Sequence, residues 1–146
     1  MLKTVLRAAL STTFVTLAAA ITLAAPAASA ATPAQLLNTY AAEAARQTPG
    51  FQPSAQRGAE LYARRFTASE KMPACATCHT DSPLQAGRHA VTGKAIKPLA
   101  PRAEPARFTD PAKVEKWFRR NCSEVTGREC SAAEKADFIR FMTEGS

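Results

Sequence analysis

The chain has 146 residues, a formal charge of +7, 4 cysteines and 10 prolines. That length holds one modest core and excludes a multidomain enzyme. The basic residues form no stripe interleaved with aromatics on a groove-reading element, so nothing here argues for nucleic acid as a partner.

Lys3 and Arg7 form a basic opening, and Ala8 to Ala25 is apolar apart from Ser and Thr. Pro26 breaks that run, and Ala28-Ser29-Ala30 is a small-x-small cleavage site. Residues 1–30 therefore read as a cleaved secretory signal peptide and 31–146 as one mature domain. The alternative is a membrane anchor. The run is short for a span and has no stop-transfer flank, so no membrane insertion is expected after cleavage.

The first helix is expected from Thr32, with Pro33 at its first turn and Gln35 completing a capping box. Leu36, Leu37, Tyr40, Ala41 and Ala44 form its apolar stripe, and Thr48-Pro49-Gly50 ends it. A second helix is expected from about Ser54 to Phe66. Ala55, Gly58, Ala59, Tyr62 and Phe66 share one face, opposite Gln56, Arg57, Glu60 and Arg64. Gly58 costs about 1 kcal/mol relative to alanine in a helix. It marks either a close helix crossing or a merely tolerated glycine.

Cys75-Ala76-Thr77-Cys78-His79 is C-x-x-C-H, the attachment motif for c-type haem. Thiols three apart on a helical turn reach one edge of a macrocycle, and the next residue then supplies the proximal imidazole. A redox dithiol would want a βαβ context, and a zinc site a second pair at knuckle spacing; neither is visible. One covalently bound haem c is expected, and residues 31–146 become a c-type haem domain. With haem attached outside the cytoplasm, the periplasm is the expected compartment. Cys122 and Cys130, left over in an oxidising compartment, are expected to pair. The basic surface either steers an acidic redox partner or is simply a solvated face.

Thr80 to Thr109 carries prolines 83, 98, 101 and 105 and glycines 87 and 93, with no strand alternation. It reads as a long loop wrapping the haem, with Ile96, Leu99 and Phe108 as apolar contacts. One of its backbone carbonyls is expected to accept a hydrogen bond from the ring nitrogen of His79 that is not on the iron. The third helix starts with Asp110 as N-cap and Pro111. Val114, Trp117, Phe118 and Asn121 fall on its apolar face, with Asn121 at the helix end. There Asn121 either caps the helix or does something else with its amide. Ser123 to Glu129, containing Gly127, reads as a turn between the late cysteines. Ser131-Ala132-Ala133-Glu134 opens a last helix with a capping box. Its apolar residues are Ala136, Phe138, Ile139, Phe141 and Met142, and order is expected to end at Gly145.

The expected fold is all-α: about four helices around one haem, little or no sheet, in an arrangement resembling class I cytochromes c. Those usually take a methionine as sixth iron ligand. Met1 lies in the leader, Met72 before the motif and Met142 on a core face, so methionine ligation is not expected. Of the other candidates, His89 reads as a solvated loop histidine, and Lys94 and Lys97 would need deprotonation to bind, which leaves Asn121 or an open position.

The stretches Thr92-Gly93-Lys94, Pro98-Leu99-Ala100-Pro101, Arg107-Phe108-Thr109-Asp110, Val114-Glu115-Lys116-Trp117, Arg120-Asn121-Cys122, Gly127-Arg128, Cys130 and Glu134-Lys135-Ala136-Asp137 resemble the SHP-type cytochromes c. The likeness runs over essentially the whole mature chain. It implies haem held by Cys75, Cys78 and His79, the sixth ligand from Asn121, and a disulfide between Cys122 and Cys130. It also implies that asparagine binds ferric iron and leaves on reduction. A hard, neutral amide suits ferric iron better than the softer ferrous state. The ferrous protein would then take oxygen, carbon monoxide or nitric oxide, and another c-type or membrane cytochrome would donate electrons. The competing expectation is a plain electron carrier that keeps its sixth ligand in both states. No catalytic residue is assigned, because peroxidase-like chemistry needs a distal acid–base group and nothing sets His89 over the iron.

Overall fold

A computed structural model describes residues 30–144. The leader up to residue 29 and the expected end of order at Gly145 lie outside the described residues. The elements are α1 (Pro33–Gln47), α2 (Ala55–Ala63), α3 (Ala76–His79), β1 (Gly87–Arg88), β2 (Ala95–Ile96), α4 (Pro111–Thr126) and α5 (Ala132–Glu144). The fold is thus all-α as expected, with one short antiparallel hairpin that pairs Gly87 with Ile96 and Arg88 with Ala95.

Local chemistry starts each long helix. Thr32 accepts from the Gln35 amide at 3.2 Å, and the Gln35 side chain accepts from the Thr32 amide at 2.8 Å. Ser54 caps α2, Asp110 caps α4, and Ser131 and Glu134 form the reciprocal box of α5. Each satisfies donors that a helix start leaves open. α1 ends at Thr48, as its sequence indicates.

Two boundaries differ from expectation. α2 stops at Ala63 because Arg64 turns extended, and the Phe66 amide instead bonds the Pro73 carbonyl at 2.7 Å. α4 does not end at Asn121. It runs on to Thr126, where Gly127 takes the left-handed conformation at φ 76° and bonds back to Ser123. Glycine adopts that conformation without steric cost. The expected turn from Ser123 is therefore mostly helix.

α1 and α2 both pack on α5. Leu36, Leu37, Tyr40, Tyr62, Phe118, Ile139, Phe141 and Met142 share one buried cluster, which Phe108 joins from the loop. The α2–α5 crossing has no room for a side chain at Gly58. A Cβ there would run into the Asp137 carbonyl and stand 2.8 Å from Phe141 Cβ. Beside it the buried Asp137 carboxylate accepts from the Ser54 amide at 2.7 Å and from Arg57 Nε and Nη2 at 2.7 and 2.8 Å. A buried charge is costly unless it is paired and hydrogen-bonded, and this one is both.

α4 is tied on by longer side chains. Glu115 accepts from Tyr40 at 2.8 Å and from Lys135 at 2.7 and 2.9 Å. Burial alone would raise the Glu115 carboxyl, but the hydrogen bonds from Lys135 and Tyr40 outweigh it and leave it below its usual range. Tyr40 and Phe118 meet edge to face at 5.8 Å. On the expected apolar face only Phe118 is fully buried. Val114 and Asn121 are half-buried, and Trp117 is 42% exposed with Arg120 stacked on it.

Gly58→Ala sets a helix-propensity gain of about 1 kcal/mol against overpacking of about 1–3 kcal/mol. The steric term is expected to win, because the obstruction is backbone. Thermal unfolding of the variant is expected to show a lowered Tm; a raised Tm would mean the crossing can open without cost.

Candidate haem-binding site

The motif lies on one tight turn. The Cys78 and His79 amides bond the Cys75 carbonyl at 3.3 and 3.2 Å, and Thr77 Oγ1 accepts from the Ala74 amide at 3.3 Å. This sets Cys75 and Cys78 one turn apart, both half-buried free thiols. Burial pushes the Cys75 thiol up to about 11. Burial, with the nearby charges of Arg107 and His89, pushes His79 down to about 4. The imidazole is therefore neutral, the form that ligates a metal. Among the described residues, no three His, Cys, Asp or Glu side chains form a cluster that could hold a metal ion.

The hairpin backs onto this turn at Gly87, where a Cβ would run into the Cys78 carbonyl. The Ala90 amide reaches Cys78 Sγ at 3.3 Å. Under the turn, the Tyr62 hydroxyl donates to the Thr80 and His79 carbonyls.

The hairpin also settles the place of His89. Its Nδ1 accepts from the Val91 and Thr92 amides at 3.2 Å each, and its backbone pairs with Lys94 and Gly93. His89 is thus a turn-builder. Lys97 is ion-paired with Glu104 at 2.8 Å, and Lys94 is exposed. Met142 is 1% exposed in the core.

Asn121 stands in the interior of α4, half-buried. Gly127 is the cap of that helix, and the Asn121 amide makes no hydrogen bond among the described residues. The next residue, Cys122, is bonded to Cys130 with Cα atoms 5.6 Å apart. That bond ties α4 to the start of α5.

One expectation is corrected. Among the described residues no loop carbonyl accepts from the His79 ring. The carbonyls of Lys97 and Pro98 are instead taken by Arg107 Nη2 and Nε at 2.6 and 2.7 Å. Arg107 was missed by reading the loop only for apolar contacts. Of those, Phe108 is buried, and Leu99 and Ile96 are half-buried. Tyr62 was read only as a core ring. Gly93, at φ 69°, was the signal for the hairpin, since a glycine between short apolar pieces marks a tight turn.

Comparison with known proteins decides the assignment. Residues 49–142 match a family model described as a domain of unknown function, DUF1924. The cytochrome c-type protein SHP of Cereibacter sphaeroides is 46% identical over 111 residues, spanning 75% of this chain and 81% of its own. Cytochrome c'' of Methylophilus methylotrophus is 47% identical over 91 residues, spanning 62% of this chain and 63% of its own. The chain thus matches just under two thirds of that relative's length. A structure of oxidised SHP, described as an oxygen-binding cytochrome c, superposes with a TM-score of 0.70 at 44% identity, covering 78% of this chain and 97% of that one. A solution structure of cytochrome c'', concerned with haem-ligand detachment, superposes at 0.66 and 39% identity over 77% of this chain and 92% of that one.

This chain belongs to the SHP family of c-type cytochromes. Its cofactor is one covalently bound haem c. The residues fit that group: two free thiols one turn apart, a neutral imidazole next to them, and an unbonded amide on another helix. Cys75 and Cys78 would hold the macrocycle, and His79 and Asn121 are the candidates to ligate its metal. No helix among the described residues is long and apolar enough to cross a membrane.

The disulfide closes a short loop, so its removal costs about 2–3 kcal/mol in the chain-entropy model. Replacing both Cys122 and Cys130 by Ser is expected to lower the unfolding midpoint in denaturant accordingly. Intact mass of the oxidised wild type is expected to be two hydrogens lighter than that of its reduced form; free thiols at both positions would refute the bond.

Proposed function

We propose that this chain is an exported, periplasmic monohaem cytochrome whose sixth ligand, Asn121, is bound in the ferric state and released on reduction. Residues 1–30 are the cleaved leader and 31–146 the haem domain. The reduced protein binds a diatomic ligand (oxygen, nitric oxide or carbon monoxide) and receives electrons from another cytochrome, c-type or membrane-bound. The observation that carries this reading is the Asn121 amide: half-buried, inside a helix, and without a hydrogen-bond partner among the described residues. A half-buried amide that spends no bond on its neighbours is free to spend one elsewhere.

Haem c supplies an iron that changes oxidation state and accepts a diatomic ligand. The protein's part is to change what it offers on the distal side. Asn121 Oδ1 is a hard donor suited to ferric iron. Once released, Asn121 Nδ2 can donate a hydrogen bond to the diatomic ligand. Cys122, fixed to Cys130, limits how far the amide moves. The bound and released arrangements must then differ by only a few kcal/mol for oxidation state to choose between them. The relatives support the same reading, since SHP is described as oxygen-binding and cytochrome c'' in terms of haem-ligand detachment. The disulfide supports an oxidising compartment. The second reading is an electron carrier whose sixth ligand stays in place.

The absorption spectrum of the reduced protein, before and after carbon monoxide, separates the two. A high-spin ferrous spectrum that shifts strongly with the gas is expected. A low-spin spectrum indifferent to it would leave only the electron carrier. Asn121→Ala is expected to keep haem attached while opening the ferric site to water or anions, and an unchanged ferric spectrum would take Asn121 off the iron. His89→Ala is expected to leave the ferric spectrum as it is and to cost about 1 kcal/mol of stability through the lost turn bonds.

A further inference from the structure

The residue after His79 is in an uncommon conformation. Thr80 has φ 63° and ψ 175°, a region that is essentially glycine's alone. A side chain there costs free energy, and such a conformation persists only where its surroundings impose it. What surrounds it is Tyr62. Its ring is 2% exposed and lies against Phe141 and Phe138 of α5, with centroids 5.6 and 6.3 Å away. Its hydroxyl stands 2.6 Å from the Thr80 carbonyl oxygen and 3.1 Å from that of His79. The Thr80 hydroxyl donates to the Ser82 carbonyl at 3.0 Å and accepts from the Ser82 amide at 3.3 Å. On the other flank, Gly87 lets the hairpin close on the Cys78 carbonyl.

A phenylalanine would fill the same space as Tyr62, so packing does not require the hydroxyl. Its two bonds go to consecutive carbonyls on either side of the strained residue. One donor shared between consecutive carbonyls is common at helix ends, and here the two carbonyls flank the residue of positive φ. α3 ends at His79, so no further helical turn stiffens the backbone behind that side chain.

We propose that Tyr62 is a positioning residue for His79: its hydroxyl holds the His79–Thr80 turn in its strained form, and that turn fixes the approach of the imidazole to the iron. The proposal rests on the reading of His79 as the proximal ligand. Without the hydroxyl, Thr80 relaxes to negative φ and the backbone carrying His79 rotates with it. The imidazole then samples several orientations instead of one. Glycine at position 80 needs no such hold, because it adopts the same conformation without cost.

The test uses the haem-loaded protein and four forms: wild type, Tyr62→Phe, Thr80→Gly and the double variant. The iron–histidine stretching band of the reduced protein is recorded by resonance Raman, and backbone amide exchange is followed across residues 78–88. Tyr62→Phe is expected to broaden the band and to speed exchange about tenfold, as a few lost bonds of ordinary strength would. The double variant is expected to return both toward the Thr80→Gly form, which controls for the lost Ser82 bonds. An unchanged band and unchanged exchange in Tyr62→Phe would overturn the proposal. So would a change that Thr80→Gly does not repair. If reduced wild type shows no iron–histidine band, the sixth ligand has not left and the reading of Asn121 release fails. The exchange measurement alone then upholds or overturns the Tyr62 hold.

Discussion

The crossing of α2 over α5 at Gly58 and Asp137 is the constraint on which the rest depends. Backbone meets backbone there, so the two helices stand at one separation and one angle. Asp137 locks the same joint electrostatically through the start of α2 and through Arg57. One turn beyond Gly58 comes Tyr62, whose ring is fixed by Phe141 and Phe138 and whose hydroxyl lies under the motif turn. The backbone of His79 is thus tied, through Tyr62, to a contact between two helices.

The other side of the site is built differently. α4 carries Asn121 but is joined to the α1–α5 layer mainly by long side chains and one covalent bond. Glu115, Lys135 and Tyr40 hold it near its start, and Cys122–Cys130 holds it near its end. Asn121 lies between the two holds. Between them Phe118 reaches the buried cluster, while Asn121 stays half-buried. The His79 turn is thus backed by close helix packing, and Asn121 sits on a helix held mainly by clamps.

The sequence made local features plain and hid distant ones. Thr32 with Gln35, Asp110 with Pro111, and Ser131 with Glu134 all read correctly, because a cap is a matter of three residues. The motif turn read for the same reason. The hairpin did not, since strands of two residues are too short to show alternation. The pairing of Asp137 with Arg57 was not legible, because Arg57 is far off in sequence and only the packed fold brings them together. The extension of α4 past Asn121 is hidden in the sequence because Ser123 to Glu129, between two cysteines and with Gly127, reads as a turn. Asn121 itself shows the limit most clearly. Spacing along a chain gives no distance across a fold, so Asn121 and an open distal position stayed undivided until likeness to a family separated them. In the structure Nδ1 of His89 and the Lys97 ammonium are already engaged.

The four cysteines also bear on how this protein is made. On the proposed reading, haem attachment would consume Cys75 and Cys78 as thiols in an oxidising compartment, whereas Cys122 and Cys130 form a disulfide. Four cysteines allow three complete pairings, and each would consume Cys75 and Cys78; only the 122–130 link alone leaves both motif thiols free. The 122–130 link closes across 8 residues between the end of one helix and the start of the next. The wrong links would have to close loops of roughly forty residues or more, at a greater entropic cost. Short-range closure therefore favours the late pair over any cross-link between it and the motif. The same cross-link that borders Asn121 would thus keep Cys122 and Cys130 from capturing the thiols of the motif.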